Sequence, residues 1–196
     1  MEQTEQPLNW PRAMAAGAAA AALMMAFVDS FYMMRLTEFT YETYLGSLIL
    51  GASYGHHLWT VGFFANLLLG SVLGIVYAFC FEDVFRSSSA KNGAILGLGH
   101  AVLAGVALFP FFNAVREFMG IARFSEFGFF GEGLDPVTPI LILFSHLIFG
   151  ATIGTFYGPV GRQRVRARDF EPGQSLPQGH PDAITSAEDA EDRVAV

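Results

Sequence analysis

Residues 58–81, 92–115 and 137–161 carry no charge at all, and residues 13–34 are interrupted only by Asp29. A bilayer core about 30 Å thick is crossed by roughly 20 apolar residues in a helix, so each of the four runs is long enough to span it. They are apolar on too many faces for surface helices of a soluble domain. Strict apolar/polar alternation, the mark of a transmembrane strand, is absent. Lipid offers no partners to a bare backbone, which leaves helices as the spanning form. The pattern predicts an all-α membrane protein, a bundle of four transmembrane helices.

Composition agrees: 53% of the chain is hydrophobic and 15% charged, below the quarter usual for a soluble domain. The segment before the first run holds Glu2 and Glu5 against Arg12. Its small residues, 15–22, stand at the start of the apolar run rather than after it. An uncleaved first helix is therefore expected. Arg12, Arg86, Lys91, Arg162, Arg164, Arg166 and Arg168 flank one side of the four runs; Arg35, Arg116 and Arg123 flank the other. Seven cations against three place both termini in the cytoplasm of a cell bounded by its inner (plasma) membrane, with 36–57 and 117–136 as outer loops.

Both loops are aromatic. Phe39, Tyr41, Tyr44 and Tyr54 mark the first, and Phe124, Phe127, Phe129 and Phe130 the second. They are expected in the outer interface as short helices, with a lid folded over the bundle as the alternative. Residues 1–12 form a short cytoplasmic lead. In the tail, residues 162–196, alternating arginines give way to Pro, Gly, Ser, Asp and Glu, a composition expected to remain disordered.

Span two contains Gly70, Gly74 and Tyr77, and span four contains Gly150, Gly154 and Tyr157, a Gly-x-x-x-Gly-x-x-Tyr pattern at a constant offset of 80 residues. Two similar helix-loop-helix halves are expected, related by an axis along the membrane normal. Convergence on small-residue packing would give the same pattern. Gly93 and Gly97 repeat the spacing in span three, and Gly17 lies among alanines in span one. Such residues let helix backbones approach closely in lipid.

Against this background the intramembrane polar residues stand out. At about 1.5 Å per residue, His100, His146 and Asn66 fall at similar depth, with Ser145 beside them. Three readings apply: mutual hydrogen bonding that locks helix rotation, a ligand or proton path, or bis-histidine ligation of haem b, for which Gly97 and Gly99 would make room. Nearer the outer side, Asp29, His56, His57, Met33 and Met34 offer carboxylate, imidazole and thioether groups of the kind that hold copper. Pairing of Asp29 with His57 or Arg35 is the simpler expectation. Pro110 should kink span three. Cys80, the single cysteine, reads as a packing residue and excludes an intrachain disulfide.

The runs around residues 93–97 and 144–158 resemble those of small uncharacterised prokaryotic families of four-helix membrane proteins. That resemblance covers about residues 58–160 and implies a multi-pass membrane protein without a known activity. No nucleotide loop, ordered nucleophile, zinc pattern or basic nucleic-acid surface occurs. The expected role is a structural, accessory or assembly subunit, partnered by the bilayer, by other membrane subunits or by itself. A small transporter or channel using the polar midplane site is the alternative.

Overall fold

The computed structural model describes residues 8–51, 55, 57–120 and 127–160. The tail from residue 161, the lead before Leu8, His56, Tyr54, Arg123 and Phe124 lie outside the described residues. Among those described there is no strand. The helices are α1 (Trp10–Met33), α2 (Tyr41–Leu50), α3 (His57–Phe79), α4 (Ala90–Leu103), α5 (Phe109–Phe118) and α6 (Thr138–Phe156), with a 3-10 turn at Phe129–Gly131. A π turn, Cys80–Phe85, extends α3, and another, Ala104–Leu108, joins α4 to α5. Four continuous helical stretches are long and apolar enough to cross a membrane: Trp10–Met33, His57–Phe85, Ala90–Phe118 and Thr138–Phe156.

Their ends follow local chemistry. The Asn9 side chain accepts from Arg12 N at 3.2 Å, with Pro11 in the first turn of α1. Ser89 caps α4 and Thr40 caps α2 in the same way. After α6, Gly158 takes φ +80°, a left-handed conformation that a side chain resists. The last apolar run therefore stops being helical before residue 161. Pro110 does not break its span: the π turn immediately before α5 absorbs the missing N–H and the ring's bulk within a continuous helical path.

The helices meet through glycine. α6 packs between α4 and α1, and α1 packs against α3. A Cβ on Gly17 would strike the carbonyl of Gly70, and one on Gly74 the carbonyl of Ala13. In the α4/α6 pair, a Cβ on Gly93 would strike the carbonyl of Gly150, and one on Gly154 the carbonyl of Ser89. Gly97 sits equally close to the His146 carbonyl. The glycines singled out by spacing thus form two crossings of the same kind.

The connection after α1 contains a short helix, as expected, and folds it against the bundle, as in the lid alternative. α2 is packed into the bundle, with Phe39, Tyr41, Glu42, Tyr44 and Ser47 buried. A third close crossing holds it: a Cβ on Gly46 would strike the Leu58 carbonyl, and one on Gly62 the Glu42 carbonyl. Phe39, Tyr44, Phe109 and Phe127 form one aromatic cluster, with the Tyr44 and Phe127 centroids 4.7 Å apart. Arg116 lies buried with its guanidinium 5.2 Å from the Tyr44 centroid, a cation–π placement. Arg35 is exposed with φ +59°. The two arginines near the ends of the first and third spans therefore do different things.

Asp135 ties the two aromatic connections together. One carboxylate oxygen accepts from the backbone of Val137 and Thr138; the other accepts from the Thr37 and Thr138 hydroxyls at 2.8 Å and from Glu38 N. Partial burial works to raise this carboxyl, but the hydrogen bonds outweigh it and hold it below the usual aspartate range.

Two outcomes follow for the purified chain in detergent. Gly93→Val should destabilise the α4/α6 crossing by about 2 kcal/mol through overpacking; an unchanged melting temperature would rule out the backbone contact. Asp135→Asn should lower the melting temperature by an amount equivalent to about 1 kcal/mol at neutral pH. A depressed carboxyl contributes stability above its unfolded value and loses it as pH falls through the folded one. The difference between wild type and variant should therefore narrow in acid, and a gap that widens there would contradict the assignment.

Candidate functional site

α1, α2, α3, α4, α5 and α6 all contribute to a chamber of about 100 Å³. Most of its wall is apolar, from Met24, Leu48, Leu73, Phe109 and Phe149; its polar groups are Tyr41, Tyr44, Asn66, His100 and His146. The three polar residues predicted to share a depth do converge here. A mostly apolar cavity with a few convergent polar groups is the usual form of a small-ligand site.

The hydrogen bonds give these groups direction. His146 Nδ1 lies 2.7 Å from the Ile142 carbonyl, which can only accept. Nδ1 must therefore carry the proton, leaving Nε2 as the acceptor. Ser145 Oγ donates to the same carbonyl at 3.0 Å, so the Tyr41 hydroxyl donates to Ser145 Oγ at 2.8 Å. The Tyr41 hydroxyl is 3.4 Å from His146 Nδ1, a marginal approach. His100 and His146 meet edge to face, centroids 4.7 Å apart and planes at 89°. Tyr77 from α3 reaches His100 Nδ1 at 3.2 Å. A string of polar side chains thus runs Tyr41, Ser145, His146, His100, Tyr77 through the bundle.

Asn66 differs from its neighbours. It is 6% exposed, and its amide Nδ2 has no hydrogen-bond partner among the described residues. A buried donor without an acceptor costs about 1–3 kcal/mol.

The arrangement does not fit haem. Perpendicular imidazoles in contact leave no space for a porphyrin plane between them. Gly97, expected to make room, instead lets α4 touch the backbone of His146. The candidate copper ligands among the described residues are also not gathered; His56 lies outside them. Met33 and Met34 are 79% and 67% exposed, and His57 is exposed at the start of α3. No cluster of three His, Cys, Asp or Glu side chains occurs among the described residues. Cys80 is half-buried in the π turn after α3.

Asp29 has a neighbour that the spacing did not suggest. The side chain in hydrogen-bonding reach is Glu42 of α2, rather than His57 or Arg35. Asp29 also lines a surface pocket of about 570 Å³ with Tyr32, Met33, Thr40, Thr43 and Trp59. Tyr41 and Glu42 are thus site residues that intramembrane polarity alone did not rank, whereas Ser145 was read beside the histidines and lies there. The available signal was the N-cap pattern at Thr40, which makes 41–50 a helix and puts Tyr41 in its first turn.

Removing the Tyr41 hydroxyl should cost about 1 kcal/mol of stability. A double-mutant cycle of Tyr41→Phe with Ser145→Ala, followed by thermal melting, should show coupling between the two; strict additivity would mean that the hydroxyls do not interact.

Compared with protein-family models, curated proteins and solved structures, the chain shows no match.

Proposed function

We propose that this chain is a small membrane transporter or channel whose working site is the polar chamber between two similar helix pairs, α1/α3 and α4/α6. The observation that carries the reading is Asn66: a buried amide lining the chamber beside two histidines, its Nδ2 without a partner among the described residues. Such a group is satisfied when water, a proton-carrying chain of waters or a small polar solute occupies the space. The neighbouring Nε2 of His146 supplies an acceptor and Tyr41 a hydroxyl, so the wall offers both donors and acceptors.

Similar contacts in the two helix pairs support reading them as halves. Gly17 meets Gly70 as Gly93 meets Gly150, and Asn66 takes the place in α3 that His146 takes in α6. Pseudo-symmetry of this kind places a site at the interface of repeats. With the seven-to-three bias of Lys and Arg, the termini belong in the cytoplasm and α2 on the outer side of the plasma membrane. α2 would then be a re-entrant helix, tolerated at depth because protein surrounds it.

A second reading is an accessory or assembly subunit of a membrane complex. It is favoured by the small chamber volume and by helix pairs sealed backbone to backbone. Flux separates the two. Purified chain in liposomes should dissipate an imposed proton or small-solute gradient, and His146→Ala should slow it about tenfold or more, the loss expected for one good hydrogen bond. Absence of flux under every gradient tried, from protein that elutes as a single folded species, would leave the accessory reading.

A further inference from the structure

Glu42 is 1% exposed, and neither of its carboxyl oxygens meets a donor from another of the described residues. Asp29 Oδ1 is likewise buried without a donor. What lies within hydrogen-bonding reach of each is the other's carboxyl. Two ionised carboxylates in that position would repel one another with no cation among the described residues shown to offset them, a cost that a buried site relieves by protonation. One shared proton removes the conflict: an acid O–H donates to the neighbouring carboxylate, and the net charge of the pair falls from two negatives to one.

We propose that Asp29 and Glu42 form a proton-binding carboxyl pair that takes its proton from the surface pocket beside α2, one residue along the chain from the polar string beginning at Tyr41. The placement supports this. Asp29 is half-buried and borders the pocket of about 570 Å³, which gives water access to the pair. Glu42 is sealed behind it, with its backbone carbonyl against Gly62, and the next residue back along α2 is Tyr41, hydrogen-bonded to Ser145. One short helix thus carries Glu42 of the acid pair and the first hydroxyl of the chamber on adjacent residues.

Other titratable or charged groups on the elements packed about α2 are Arg12 and Tyr32 on α1, His57 and Tyr77 on α3, Arg116 and Glu117 on α5, and His146 on α6. Tyr41 and Tyr44 stand on α2 itself. Burial comes first and the Asp29 charge next in raising the Glu42 carboxyl above the usual glutamate range, against a lowering backbone hydrogen bond. The proposal identifies the coupling ion of the site described above as a proton and rests on that reading for its role, but the pair itself titrates whether or not the chain transports.

A hydrophobic carbodiimide, which adds to protonated carboxyls in apolar surroundings, tests it on the full chain in nanodiscs, with the modified residue located by mass spectrometry. Glu42 should be labelled in mild acid, and labelling should fall as pH rises through about 6–8. Asp29→Asn should move that fall about one pH unit or more lower, because a neighbouring negative charge is gone; Glu42→Gln should remove the label. Absence of labelling at every pH, or a profile unmoved by Asp29→Asn, would overturn the proposal. So would protection of Glu42 by sodium or calcium ions at fixed pH, which would make the pair a cation site. The wild-type profile and the ion competition need no variant to fold. Labelling as expected without liposome flux would remove the transport reading and leave the proton site standing.

Discussion

Backbone-to-backbone contact at glycine is the constraint on which the other features rest. Between helices in lipid the hydrophobic effect contributes little, so association depends on how closely the helices can approach. Here the carbonyl of one helix lies where a side chain of the other would begin, at Gly17, Gly70 and Gly74 in one pair and at Gly93, Gly150 and Gly154 in the other. Contacts this close fix rotation as well as distance. Once Gly93 and Gly97 face α6, the angular position of His100 on α4 is determined, and once Gly150 faces α4, so is that of His146. The edge-to-face meeting of the two rings follows from the glycines as much as from any attraction between imidazoles.

The same device explains why the chamber exists. α1 and α3 are drawn together, α4 and α6 are drawn together, and α6 lies against α1. α3 and α4 are bridged by Tyr77 reaching His100, and the space above that bridge is left to side chains. α2 covers it, held by its own pair of glycines, Gly46 and Gly62. A helix that enters and leaves on one side must satisfy its backbone groups within protein. The Thr40 cap, the Gly51 turn and the Asp135 network, which binds Thr37 and Glu38, do so at its ends.

How much of this was legible in the sequence depended on whether a residue acts through its own helix or through a distant one. Spans are a property of local composition, and all four lie within a few residues of their apolar runs. Paired glycines are also readable, because one turn of separation puts them on one face. His100, His146 and Asn66 were visible because polar groups are costly in lipid. Glu42 was not. It stands among aromatic and hydroxyl residues that read as an interfacial segment, and only the fold of α2 against α3 brings it to Asp29. Gly46 and Gly62 lacked a partner at helical spacing in their own segments, so their role appears only when two elements meet. The haem alternative depended on Gly97 as space, whereas in this fold Gly97 is a place of contact with the His146 backbone.

The position of α2 also bears on how the bundle could respond to protonation. Its first turn carries Tyr41 and Glu42, and its N-cap, Thr40, borders the same pocket as Asp29. A change of charge on the acid pair therefore acts on the turn that holds the Tyr41 hydroxyl against Ser145. Ser145 and His146 share the Ile142 carbonyl as acceptor, so displacement of Tyr41 would alter the hydrogen bonding of the serine beside the histidine. No long-range pathway is needed for this coupling. It requires one helix turn, one shared carbonyl and two carboxyls that cannot both ionise at low cost, and its reach is limited to the residues that glycine packing has already brought together.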